Sequence, residues 1–107
     1  MPFRGIATFL KALILEAKKG GGRSYEEVGY HFAIHLDQFI EEETEEQEEA
    51  AVEAFWEAFE ATSAREENVR QWLRQHTPGI ARAIPSRRME TFLRGIDAAW
   101  EDGRIPV

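Results

Sequence analysis

Apolar residues recur along this chain at helical spacing from one end to the other, and nowhere do they alternate as a half-buried strand requires. Phe3, Ile6, Phe9, Leu10, Leu13, Ile14 and Ala17 share one stripe, with Arg4, Lys11 and Lys18 opposite. They predict a first helix over 3–19. Gly20, Gly21 and Gly22 stop it, and Lys18 and Lys19 suit the negative end of its dipole. A second stripe of Tyr25, Val28, Phe32, Leu36, Phe39 and Ile40 predicts a helix over 25–43. Ser24 and Glu27 have the spacing of a capping box at its start. Gly29 and Ala33 lie within the stripe, where a missing or minimal side chain admits a neighbouring backbone. Tyr30 and Ile34 fall off it, as a spare apolar strip suited to a second neighbour or to self-association.

Ala51, Val52, Phe55, Trp56, Phe59 and Thr62 predict the next helix, over 45–62. Thr44 and Gln47 form a second box, so helices two and three either part at Thr44 or run on as one long helix. Ser63 with Glu66 would open a helix over 64–76, with Val69, Trp72, Leu73 and His76 inward and Thr77-Pro78-Gly79 ending it. Residues 79–85 read as a turn of helix or an extended link anchored by Ile80 and Ile84. Ser86 is the cap candidate for a last helix over 87–102, built on Met89, Phe92, Leu93, Ile96 and Trp100 and closed by Gly103. The expected fold is all-α: a five-helix bundle forming a single helical domain over 1–107.

Charge changes this picture more than composition does. The net charge of −7 is distributed as +4 over 1–23, −13 over 24–63 and +2 over 64–107. The middle stretch holds 13 of the 20 acidic residues and no Lys or Arg. Five Glu pairs at i,i+4 spacing, from Glu41–Glu45 to Glu53–Glu57, repel within this stretch by about 0.2–0.5 kcal/mol each. Plain solubility explains such a ridge. So does pairing with Arg82, Arg87, Arg88 or Arg94, and so does docking on a basic partner. An overall negative charge disfavours nucleic acid as a general partner. The eight Arg after residue 64 leave a weak nucleic-acid module as a third reading of the C-terminal half.

Candidate chemistry is sparse. With no cysteine, disulfides and thiolate chemistry are excluded. Gly20-Gly21-Gly22-Arg23-Ser24 lacks the Gly spacing and the Lys of a phosphate loop. His31 and His35 stand four apart on a helix, a spacing that lets two imidazoles reach one divalent metal, with Glu27 and Glu42 on the same ridge. Phe32 after His31 rules out the zinc-protease motif, which needs Glu there. Ser24, Ser63 and Ser86 are spoken for as caps, so no nucleophile–base–acid set is left over and an enzyme is not expected.

No apolar run is long enough to span a membrane, and Lys11 interrupts the opening run where a signal peptide would be uniformly apolar. A cytoplasmic location follows as an expectation. The leading expectation for function is a non-catalytic acidic interaction protein of adaptor or inhibitor type. It would self-associate and would dock a basic protein surface through Tyr30, Ile34, Glu41, Glu45, Glu46, Glu48, Glu49 and Glu53. The alternative is a metal-binding bundle using His31, His35 and Glu42.

Overall fold

The computed structural model describes residues 2–20, 23–40, 42–61 and 63–103, without the side chains of residues 2–7, 23 and 24. Every regular element among them is helical: α1 (Pro2–Gly20), α2 (Arg23–Ile34), α3 (Leu36–Phe39), α4 (Glu45–Glu60), α5 (Arg65–His76), α6 (Pro78–Ala83), a 3-10 turn (Ser86–Arg88) and α7 (Met89–Glu101). The fold is all-α. No helix among the described residues is long and apolar enough to cross a membrane. The expected roles of Gly21, Gly22, Glu41 and Thr62, and of the side chains of Phe3, Arg4, Ile6 and Ser24, lie outside the described residues.

α2 is the central rod, with α1 along one side and α7 along the other. The α2–α7 contact is set by two glycines. A Cβ on Gly29 would meet the Phe92 carbonyl oxygen, with the carbonyl carbon at 2.9 Å. A Cβ on Gly95 would meet the Glu26 carbonyl oxygen, with the Tyr30 amide nitrogen at 2.7 Å. Each helix therefore presses its backbone into the notch the other leaves, an approach that any larger residue blocks. α4 and α5 form a second pair, and α6 folds back on α5.

Phe32 joins the two halves. Its ring, fully buried, lies within 5.5–6.5 Å of the rings of Phe39, Phe55, Trp72 and Phe92, which come from α3, α4, α5 and α7. The indole nitrogen of Trp72 donates to the Ala51 carbonyl at 2.9 Å, so the one polar group on this large apolar side chain is satisfied in the interior.

The stretch expected as one helix over 25–43 is broken. α2 ends at Ile34, His35 takes φ −120 and ψ 24, α3 is a single turn, and Ile40 is extended. A continuous helix over 25–60 would be a rod of roughly 50 Å, longer than the molecule's largest extent of 38 Å. By bending, the chain buries both Leu36 and Ile40 and turns α4 back onto the core. The Thr44–Gln47 box is fully formed, with Gln47 N–H donating to Thr44 Oγ1 at 3.1 Å and Thr44 N–H donating to Gln47 Oε1 at 3.3 Å.

The Ser63 box is not formed. Ala64 is the N-cap of α5 and contributes no side-chain bond. In place of a cap, the Arg65 Nε–H donates to the Phe59 carbonyl and the guanidinium lies 4.3 Å from the Phe59 ring centre. Ser86 caps nothing with its side chain and instead opens the 3-10 turn ahead of α7. Gly103 closes α7 at φ +69, as its position after the stripe implies. Phe9 and Trp100, expected in the core, are 47% and 48% exposed: Phe9 rests edge-on against the His31 ring and Trp100 against the Trp56 ring, each covered on one side.

Gly29→Ala should lower the unfolding free energy by about 2 kcal/mol or more, since backbone must move to admit the methyl. Gly79→Ala is the matched control: its Cβ meets nothing within 4 Å, and the gain in helix propensity should raise stability by up to about 1 kcal/mol. Urea unfolding of the two variants reads both signs.

Candidate functional site

The outer face of α4 is the most distinctive surface of the molecule. Its start is fixed by the Thr44 box, and Glu45, Glu46 and Glu48 in the first turn suit the positive end of the helix dipole. Ala51, Phe55 and Phe59 bury the inner face. Helical periodicity then leaves Glu45, Glu46, Glu49, Glu53, Glu57 and Glu60 exposed, while Glu48 turns to a half-buried position. Glu41 lies outside the described residues.

No ion pair to these six exposed carboxylates occurs among the described residues. Four of the arginines are engaged elsewhere. Arg65 stands 3.6 Å from Asp97, Arg70 bonds Glu66 and Glu67 at 3.0 and 3.4 Å, and Arg94 bonds Glu90 at 3.0 Å. Arg88 lies over the Tyr25 ring at 5.9 Å. Neutralisation of the ridge by the tail arginines, one of the three explanations open to the sequence, is therefore not seen among the described residues.

Beside the ridge lies an aromatic pair that periodicity placed in the core. Trp56 of α4 and Trp100 of α7 stand 5.2 Å apart between ring centres, tilted by 53°. Trp56 is half-buried and Trp100 about half exposed. Glu53 and Glu60, three before and four after Trp56, neighbour it on the same face of α4. The sequence signal that could have flagged Trp100 is its place in the last turn of its helix, between Ala99 and the polar Glu101-Asp102-Gly103 end.

The other expected site residues are dispersed. Tyr30 and Ile34 are half-buried and packed against the core, and the Tyr30 hydroxyl donates to Asp102 Oδ2 at 3.0 Å. They sit in the seams beside α2, the sandwiched arrangement, rather than on an outlying strip. His31 meets the rings of Phe9 and Tyr30 edge-on, at 5.0 and 5.6 Å. His35 occupies the bend after α2, where its carbonyl accepts from Gln38 N–H at 2.9 Å. Glu42 is carried past that bend to the end of α5, where its carboxylate meets His76 Nδ1 at 2.7 Å. The break at His35 thus removes Glu42 from the ridge that a continuous helix would have given it. Among the described residues no three His, Asp or Glu side chains are grouped to hold a metal.

The His76–Glu42 contact is a clasp. It is partly buried, it is backed by the Trp72 ring 4.9 Å from the imidazole, and it ties the link before α4 to the far end of α5. His76→Ala and Glu42→Ala should each cost about 1 kcal/mol, and their double-mutant cycle should show a coupling of about 0.5–1.5 kcal/mol. Additive losses in thermal unfolding would mean that the two side chains act independently. No protein-family model matches the chain, and no curated protein or solved structure shows significant similarity to it.

Proposed function

We propose that this protein is a non-catalytic interaction protein whose α4 face docks a basic surface of a protein partner. The observation that supports this reading most directly is a row of six exposed carboxylates with no counter-charge among the described residues, in a molecule where Arg65, Arg70 and Arg94 pair with acids off α4. Like charges at i,i+4 spacing disfavour a helix by about 0.2–0.5 kcal/mol per pair. Glu45–Glu49, Glu49–Glu53 and Glu53–Glu57 are three such pairs within α4.

The Trp56–Trp100 pair adds what a charged row lacks. Rim charges contribute orientation and association rate, whereas affinity concentrates in a few large side chains that lose water on binding. Indoles are favoured in that role, and their faces attract the guanidinium and ammonium groups that a basic surface presents. An aromatic anchor flanked by Glu53 and Glu60 on the same helix face fits Arg- or Lys-bearing partners in both respects.

The test separates this surface from bulk negative charge. Glu49→Gln, Glu53→Gln and Glu57→Gln in one variant should abolish the capture of a basic partner that elutes at raised salt. The control combines Glu16→Gln, Glu27→Gln and Glu101→Gln, which remove the same charge from exposed positions off α4, and it should capture normally. Equal capture by both variants would overturn the proposal. Independently, the ridge variant should unfold at a higher temperature than the wild type at low ionic strength, by about 1 kcal/mol of added stability, because repulsion has been removed. A gain in stability joined to a loss of binding is the signature of charges kept for a partner.

A further inference from the structure

On the side formed by α1 and α6 lies a groove of about 540 Å³ that the acidic face does not use. Leu10, Ile14, Leu15, Phe39, Ile80 and Ala83 supply its apolar lining, and Lys11, Lys18 and Arg82 its charges. No Asp or Glu lines it, although the chain carries 20 acidic residues. Lys11, Leu15 and Lys18 are spaced four and three apart, so they run along one edge of α1, and Leu15 is 58% exposed. Arg82, also exposed, is the charge contributed by α6. The one hydroxyl in the lining, on Thr77, is spent on the Leu73 carbonyl at 3.2 Å.

We infer that this groove binds a single-chain amphiphile with a carboxylate head, a long-chain fatty acid. The volume falls within the ~300–1,000 Å³ of small-molecule sites. The lining offers an apolar tail a surface with no unspent hydroxyl, and an acyl chain has no hydrogen-bonding groups that would need one. A peptide strand laid in the same groove would bring amide groups that this lining leaves unpaired. The head must be anionic, because three cations and no acid surround it. A groove of this size takes one tail rather than the two of a phospholipid.

Isothermal titration with octanoate, decanoate and dodecanoate, each below its aggregation concentration, is the direct experiment. Saturable one-to-one binding is expected, with affinity rising about fourfold for each methylene that enters the groove. The amine of the same chain length should bind at least about tenfold more weakly, because its head is repelled by Lys11, Lys18 and Arg82. Leu15→Glu, and separately Lys18→Glu with Arg82→Glu, alter exposed positions and should leave the thermal unfolding midpoint in place while weakening dodecanoate by about tenfold or more. Absence of dodecanoate binding, equal binding of amine and carboxylate, or unchanged affinity in both variants would overturn the inference. So would binding to anionic phospholipid vesicles without binding of the monomeric fatty acid, which would make α1 a membrane-surface helix instead.

Discussion

The crossing of α2 and α7 is the constraint on which the rest of the molecule depends. Gly29 and Gly95 each face the other helix's backbone, so the two rods meet far closer than side chains would allow. That closeness brings Phe92 against Phe32, and through Phe32 it fixes where α3, α4 and α5 place their rings. A glycine inside a helix costs about 1 kcal/mol of propensity relative to alanine. Here that cost is offset by the packing of two helices along their length.

Charge and shape are divided between two faces of the molecule. α4 presents the carboxylate row and, with Trp100 of α7, the indole pair, while α1 and α6 frame an apolar groove set with lysine and arginine. The arginines of α5 and α7 hold the middle ground. Arg65, Arg70 and Arg94 pair with acids on their own helix or the adjoining one and lend little charge to either extreme.

The all-α class and most of the core were legible in the sequence because helical periodicity is a local signal. Val28, Phe32, Phe55, Leu73, Phe92 and Ile96 are buried as their stripes required. Gly29 was also legible as a point of close approach, although its partner Gly95 was not, since nothing local pairs α2 with α7. The errors fall where tertiary structure overrides a local preference. The helical pattern runs through His35 without interruption, yet the chain bends there so that Ile40 can be buried and Glu42 can reach His76. Ser63 has the spacing of a cap, yet Arg65 supplies the contact at that joint. Of the candidate surface, the carboxylate row was readable from sequence. The Trp56–Trp100 pair and the α1–α6 groove were not, because each is assembled from helices distant in the chain.

The separation of the carboxylate row from the lysines of α1 has a consequence for encounter rather than for the bound state. A molecule with opposite charge on different faces experiences a torque in the field of a charged neighbour, over distances up to the ~8 Å screening length at physiological salt. Approaching a basic surface, it turns α4 forward before any side chains touch, so a larger share of collisions begins in a productive orientation. The same field directs the lysine-lined face toward anions. The two faces thus respond in opposite senses to the charge of whatever approaches.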